Sequence, residues 1–150
     1  MNIKELFKDK VVLITGHTGF KGTWLTCWLK SLGAKVIGFS NDIITTPSHF
    51  EESGLDSDIT NLIGDIRDLD TIKSVFNDHK PDFVFHLAAQ SLVKKSYLNP
   101  IETYETNFFG TLNLLEALRF YDKQCIAVLI TSDKCYDNVE WVWGYKETDA

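Results

Sequence analysis

A G-x-x-G-x-x-G loop that begins at Gly16 constrains the fold of this chain more than any other feature of its sequence. Before the loop, residues 11–14 are apolar without interruption, which is typical of a strand buried on both faces of a parallel sheet. After it, apolar side chains recur at helical spacing up to Gly33, and glycine commonly ends helices. Residues 36–39 form the next apolar run. This order predicts a strand, a tight turn, a helix and a second, parallel strand.

The same alternation continues along the chain. Further strands are predicted at 61–63, 83–87 and 126–130, and further helices at 68–76 and 100–121. Asn99 and Pro100 suit the cap and the first turn of the last helix. The pattern favours an α/β fold, a Rossmann-type doubly wound parallel sheet that stops after its fifth strand. We therefore expect residues 1–150 to form one partial dinucleotide-binding domain, with the substrate lobe beyond Ala150.

Composition excludes several partners and sites. Lys and Arg total 15 against 21 Asp and Glu, a formal net charge of -6, so the overall field repels nucleic acid and anionic membranes. No segment is apolar for long enough to be a signal sequence or a membrane span. The three cysteines form no Cys-x-x-Cys pair and no zinc-ligand pattern, so we expect no metal site and a reducing, cytoplasmic location.

The glycine loop predicts a phosphate site. Backbone N–H groups and the helix dipole converge there, where the pyrophosphate of a dinucleotide would lie. Glycine at 16 permits the tight turn, glycine at 19 the close approach of phosphate, and glycine at 22 close packing of the helix on the sheet. The alternative is a glycine-rich turn without a ligand. The predicted cofactor contacts of this loop are Gly16, Thr18, Gly19, Phe20, Lys21 and Gly22.

The choice between NAD and NADP depends on the end of the second strand. A carboxylate there accepts hydrogen bonds from the ribose of NAD, whereas a basic residue meets the 2′-phosphate of NADP. Asp42 lies a residue or two late for this carboxylate, but residues 40–52 contain no Lys or Arg. The sequence therefore favours NAD, and the alternative is that Asp42 only stabilises a turn.

Two further groups follow predicted strands, at the sheet edge where such folds bind ligands. Asp65 and Ile66 follow the third strand, near the expected adenine. Leu87, Ala88 and Ala89 follow the fourth strand and offer small side chains beside the cofactor. Taken singly, Asp65 could instead cap a helix and the two alanines could simply pack.

Four motifs together resemble the extended short-chain dehydrogenase/reductases that act on nucleotide sugars: the glycine loop and residues 65–67, 86–90 and 131–134. More narrowly, the stretches at 15–22, 104–107, 131–136 and 140–145 are similar to the 4,6-dehydratase branch that acts on CDP-glucose. The resemblance implies that bound NAD accepts hydride from C4 of the hexose, that water is lost across C5 and C6, and that the hydride returns to C6.

The resemblance also implies roles for the segment after the fifth strand. Ser132 would hydrogen-bond the C4 oxygen, Asp133 would protonate the C6 oxygen, and Lys134 would manage the C5 proton. Related dTDP-glucose dehydratases usually have glutamate at the last position, and lysine acts as a base only where burial or a cation lowers its pKa. Without the family match, a polar loop after a strand is the alternative.

Substrate and subunit contacts follow from the same resemblance. Gln90 and Lys94 would contact the nucleotide sugar, although Lys94 and Lys95 could equally form a solvated basic turn. Trp141 and Trp143 are expected to pack on the active-site loop. The helix from Pro100 to Tyr121 would form a homodimer, although an apolar helix face by default turns to its own core. That face is Ile101, Tyr104, Phe108, Leu112, Leu115 and Leu118.

One expected pair is absent. The family abstracts its first proton with a tyrosine assisted by a lysine four residues later, and none of the five tyrosines has this lysine. The pair is expected shortly beyond Ala150, so we expect the chain alone to be inactive. Alternatives are another enzyme of the extended family, such as a 4-epimerase or a different dehydratase, and a non-catalytic NAD-binding module.

Overall fold

The computed structural model describes residues 2–43 and 45–150 and contains a five-stranded parallel sheet. The strand order is β3-β2-β1-β4-β5, the order of a dinucleotide-binding sheet up to its fifth strand. The predicted fold class is therefore confirmed. The strands are β1 (Val11–Thr15), β2 (Lys35–Ser40), β3 (Thr60–Ile63), β4 (Phe83–His86) and β5 (Ile126–Leu129).

Helices connect the strands, and several short ones were not predicted. The α-helices are α1 (Ile3–Phe7), α2 (Phe20–Ser31), α3 (His49–Glu52), α4 (Leu69–His79), α5 (Val93–Leu98), α6 (Pro100–Tyr104) and α7 (Gly110–Arg119). Single 3-10 turns occupy Leu55–Ser57 and Asp133–Cys135. The helix predicted at 68–76 is α4, with Asp68 as its cap. Within the described residues, no helix is long and apolar enough to cross a bilayer.

The core lies on both faces of the sheet, because side chains of one strand alternate between faces. Leu13 and Val84 point towards α4 and α7, where they pack with Phe76 and Leu114. The neighbouring positions of β1 and β4 point to the other face, where α1 and α2 cover them. Two apolar layers thus hold the central strands rigidly, and their carboxyl ends share one edge of the sheet.

The helix predicted from Pro100 to Tyr121 is present but is divided by a π-helical segment, Glu105–Phe109. Asn99 caps it by accepting a hydrogen bond from Glu102 N–H, and Pro100 stands in its first turn, as predicted. The wider π turn rotates the later residues relative to the earlier ones. Consequently Leu114 and Ala117 face the core.

The apolar face predicted on this helix does not turn to the chain's own core. Ile101, Tyr104, Phe108, Leu112 and Leu115 are all exposed. The default expectation of a core-facing stripe was wrong for these five, because the α7 turn that packs on α4 uses the opposite side of the helix.

Candidate functional site

The glycine loop contacts the loop after β4 at the carboxyl edge of the sheet. Thr15 and His86 end their strands as register partners, so the two following loops start side by side. Gly16 adopts φ 75°, a left-handed conformation, and a Cβ there would lie 2.8 Å from the Ala88 nitrogen and 2.9 Å from the Leu87 carbonyl carbon. Only glycine meets both requirements, as the sequence predicted for a tight turn.

The first turn of α2 is open to a ligand. Gly19 is its cap and supplies no side-chain acceptor, whereas side chains cap α1, α3, α4 and α6. The first N–H groups of a helix have no partner within the helix, so those of α2 are available to an anion. A Cβ at Gly22 would collide with the Gly16 carbonyl oxygen, so this glycine allows the helix to lie against the loop.

The second loop residue, His17, forms a buried polar cluster that sequence reasoning missed. Its ring Nε2 is 2.9 Å from Asn61 Oδ1 on β3, and its Nδ1 is 3.1 Å from Ser40 Oγ on β2. The ring occupies the place where Gly38 of β2 lacks a side chain, and Phe50 meets it edge-on. Burial lowers the pKa of His17. The signal in the sequence was a glycine inside the apolar run of β2.

The end of β2 differs from the expected ribose carboxylate. Ser40 is the buried last residue of the strand, and its hydroxyl is turned to His17. Asp42 is exposed, and its Oδ1 accepts a hydrogen bond from Ile43 N–H at 2.7 Å. Thr18 Oγ1 donates to the Asp42 carbonyl oxygen at 2.7 Å, which ties the glycine loop to this turn. Asp42 thus stabilises a turn, which the sequence offered as the alternative to a ribose contact.

The segment after β3 carries an ion-pair network. Arg67 lies within 2.5 to 3.0 Å of both carboxylate oxygens of Asp65 and also bonds Glu105 at 3.2 Å. The hydrogen bond from Arg67 lowers the pKa of Asp65. Asp65 does not cap α4, because Asp68 does. The Ile66 side chain is buried in the core, so only its backbone is available to a cofactor.

The end of β4 is held by a second buried histidine. His86 Nδ1 is 2.7 Å from Thr15 Oγ1, and His86 Nε2 is 2.9 Å from Thr111 Oγ1 on α7. Burial lowers the pKa of His86 to about 4. Sequence reasoning used His86 only as part of a motif. The available signal was a polar residue at the end of an apolar strand, beside Thr15 at the end of the neighbouring strand.

The predicted substrate residues lie farther along the same loop. Asn107 in the π-helical segment binds both backbone groups of Gln90, with Oδ1 to the N–H at 2.7 Å and Nδ2 to the carbonyl at 3.0 Å. The Gln90 side chain bonds Thr103 Oγ1 at 3.0 Å. Lys94 is exposed on α5, whereas Lys95 pairs with Glu102 at 2.7 Å. The predicted basic turn is therefore a short helix.

The predicted catalytic segment follows β5, as expected. Ser132 is exposed, and its Oγ accepts a hydrogen bond from Lys134 N–H at 3.2 Å. Lys134 is exposed, and the Asp133 side chain lies outside the described part of the structure. Trp141 and Trp143 contact each other with ring centroids 5.9 Å apart, and Trp143 is largely exposed.

Comparisons with known proteins identify the family of this chain. The profile of the family described as GDP-mannose 4,6 dehydratase matches residues 13–150. The chain belongs to this family. CDP-glucose 4,6-dehydratase of Salmonella typhimurium is 50% identical over 146 residues, which is 97% of this chain and 41% of that protein. CDP-paratose 2-epimerase of Salmonella typhi is 35% identical and is matched over 93% of this chain and 41% of its own length.

Two solved structures similar to this dehydratase-family chain are epimerases. The epimerase Mth375 of Methanothermobacter thermautotrophicus superposes with a TM-score of 0.80 at 30% identity, over 97% of this chain and 42% of its own. A UDP-glucose 4-epimerase of Thermus thermophilus, solved with NAD, has a TM-score of 0.65 at 34% identity, over 74% and 34% of the two chains. The chain therefore spans about two fifths of the length of these relatives.

Proposed function

We propose that this chain carries the NAD-binding part of a nucleotide-sugar 4,6-dehydratase whose substrate is CDP-glucose. The observation that carries the proposal is the loop of Gly16, Gly19 and Gly22 at the amino terminus of α2, where no side chain caps the helix. We call this loop and the first turn of α2 the cradle. The 50% identity to a CDP-glucose 4,6-dehydratase supports the choice of substrate.

The residues of the cradle fit a dinucleotide. Backbone N–H groups at Phe20, Lys21 and Gly22 would bind the pyrophosphate, with Thr18 and Gly19 lining the approach. NAD, when bound, supplies a transient hydride acceptor for C4 of the hexose. Small side chains at Ala88 and Ala89 leave room for the cofactor beside β4. Leu87 N–H donates to Thr15 Oγ1 at 3.2 Å, which holds the start of this loop beside β1.

The adenosine end supports NAD over NADP. Asp42 and Asp65 both present carboxylates near the ends of β2 and β3, and residues 40–52 contain no Lys or Arg that would meet a 2′-phosphate. Asp65 would accept a hydrogen bond from the adenine amino group with a carboxylate oxygen that also accepts one from Arg67. Ile66 would contribute its backbone.

The remaining chemistry is assigned to residues after β4 and β5. Ser132 would donate to the C4 oxygen, Asp133 would protonate the leaving C6 hydroxyl, and Lys134 would manage the C5 proton. Gln90 and Lys94 would contact the nucleotide sugar. Asp133 distinguishes a dehydratase from a 4-epimerase, since an epimerase needs no acid at C6.

Titration calorimetry with NAD tests the cradle. In Gly19→Val the added side chain fills the place of the phosphates, and we expect NAD affinity to fall at least about tenfold, since charge-assisted backbone hydrogen bonds are lost. Gly144→Val is the matched control, because a Cβ at Gly144 meets nothing within 4 Å. Equal NAD affinity in Gly19→Val and the unaltered chain would contradict the loop assignment.

An activity assay tests the assignment of the full reaction. We expect the 150-residue chain to convert no CDP-glucose, because none of its tyrosines is followed by a lysine four residues later. Formation of a 4-keto-6-deoxy sugar by this chain would overturn that expectation. Interconversion of 4-epimers of a nucleotide sugar, by a protein that contains these residues, would support the epimerase alternative instead.

The partner that we propose for the exposed helix face is a second copy of the protein, forming a homodimer through the helix from Pro100 to Tyr121. The support is the continuous row of exposed apolar side chains defined above, from Ile101 to Leu115. Leu112→Glu with Leu115→Glu should yield a monomer in light scattering, whereas Ile3→Glu, an exposed apolar position on α1, should not. An unchanged molar mass in the double variant would contradict this interface.

For the location of the protein we propose the cytoplasm. Cys27, Cys125 and Cys135 are all free thiols. A chain that keeps three unpaired cysteines suits a reducing compartment. Localisation by fractionation of the expressing cells would test this.

A further inference from the structure

The Thr15 hydroxyl lies at the junction of the two loops that form the candidate site. It is 3.2 Å from the N–H groups of both Leu87 and Ala88, and both groups can only donate. Leu87 N–H is shared with the Thr15 backbone carbonyl oxygen, which it meets at 3.0 Å. Because both amides can only donate to the hydroxyl, the hydroxyl hydrogen is left for the remaining neighbour, His86 Nδ1, at 2.7 Å. Thr15 thus binds the start of the loop after β4 and donates to the histidine.

This arrangement determines the state of the His86 ring. Because Nδ1 accepts from Thr15, the ring proton of neutral His86 is on Nε2, which donates to Thr111 Oγ1 at 2.9 Å. Thr111 in turn donates to the Asn107 carbonyl oxygen at 2.8 Å. Every donor and acceptor of the side chains in this row has a partner, which is the condition for a stable buried polar network.

The row connects the two sides of the candidate site. Thr15 directly precedes Gly16, and the space for a Cβ at Gly16 is already filled by the backbone of Ala88. At the other end, Asn107 holds both backbone groups of Gln90. The loop of residues 87–90 is therefore attached at its start through Thr15 and at its end through Asn107. His86 links these two attachments through its hydrogen bonds to Thr15 and Thr111.

We propose that His86, with Thr15 and Thr111, is a positioning residue that sets the separation between the glycine loop and the loop of residues 87–90, and thereby the affinity for NAD. The proposal rests on the proposed function, in which the cofactor would lie between these two loops. The His86 ring is buried, 3% exposed, and so is not open to a ligand. It acts by orienting the Thr15 hydroxyl towards Ala88 N–H, since Leu87 N–H is also held by the Thr15 backbone carbonyl.

The test compares three variants by NAD titration calorimetry and by urea unfolding. His86→Leu removes both hydrogen bonds, and we expect NAD to bind at least about tenfold more weakly. His86→Asn can place an amide oxygen near the Nδ1 position, accept from Thr15, and restore most of this affinity. Val84→Ala, on the same strand and the same face, is the matched control for lost core packing, and its NAD affinity should stay within about twofold of the unaltered chain.

The outcomes are separable. If His86→Leu binds NAD as tightly as the unaltered chain, or if Val84→Ala weakens binding as much at a similar loss of stability, the positioning role is overturned. If the unaltered chain binds no NAD, the proposed function fails and this inference fails with it. Nitrogen NMR of the imidazole provides a readout that does not depend on the ligand, with the proton expected on Nε2 at neutral pH, and a proton on Nδ1 would overturn the geometry.

Discussion

The carboxyl ends of β1, β2 and β4 contrast with the segment that follows β5. Around the glycine loop, side-chain hydrogen bonds join residues far apart in sequence, as between Thr15 and His86 or between His17 and Asn61. In residues 131–150, most hydrogen bonds join near neighbours, as between Ser132 and Lys134 or within Lys146–Asp149. One region takes its geometry from the sheet, and the other takes it mainly from local turns.

This difference separates a region held by the core of the sheet from a region held mainly by local contacts. The proposed cofactor cradle is held by two core layers and by the buried side chains of His17 and His86. The proposed catalytic segment is largely exposed, and Trp141 and Trp143 lie at its surface. Proteins commonly place binding elements on a rigid scaffold and reactive groups on adaptable segments.

The largest loss of stability is expected from Gly22→Ala. The added Cβ would collide with the Gly16 carbonyl oxygen and approach His17 Cα to 2.8 Å, and neither backbone atom can move without displacing α2. We expect the free energy of unfolding to fall by at least about 4 kcal/mol in urea denaturation. Gly144→Ala, in the exposed segment, should change it by less than about 0.5 kcal/mol. Similar values for the two variants would contradict the contrast.

Lowering the pH should reduce the free energy of unfolding through the two buried histidines that hold the cradle. Burial lowers the pKa of His86 from 6.5 to about 4 and also lowers that of His17, so the unfolded chain takes up protons before the folded one. The stability present above pH 6.5 is therefore lost as the pH falls towards 4, by about 3 kcal/mol from His86 alone. Urea unfolding at intervals across this range measures the slope, which should be shallower in His86→Asn. A flat profile would show that His86 titrates normally.

The smallest effect is expected in the exposed segment. Trp143→Ala removes a large side chain that is 64% exposed and contacts Trp141, so we expect a loss of less than about 1 kcal/mol in unfolding free energy. Phe76→Ala is the comparison variant in the core that packs on the sheet. That ring is buried and packs edge-on against Tyr121, and its removal should cost about 3 to 5 kcal/mol. A loss above about 2 kcal/mol for Trp143→Ala would show that the segment is tightly packed.

The sequence was sufficient for the parts of the fold that depend on local patterns. Short, mainly apolar runs predicted the five strands, Asn99 and Pro100 predicted a helix start, and Gly33 predicted a helix end. The short helices α3 and α5 were not predicted, since a few residues give too little periodicity. The π-helical segment was also missed, and it changed which side of the long helix meets the core.

The candidate site was predictable in its backbone and not in its polar contacts. Spacing predicted the roles of the glycines at 16 and 22, because strand, turn and helix determine those positions locally. The partners of His17 and His86 come from neighbouring strands and from α7, and their proximity depends on the strand order and register of the folded sheet. A single sequence carries no direct record of that register.

The imidazole of His17 fits where it does because β2 has no side chain at Gly38 and because β3 offers an amide at Asn61. Three positions on three separate strands or loops therefore have to change together. An engineer who grafts another cofactor loop onto this sheet would transfer residue 17 without its two supports. Libraries that vary positions 17, 38 and 61 jointly should yield folded proteins far more often than libraries that vary position 17 alone.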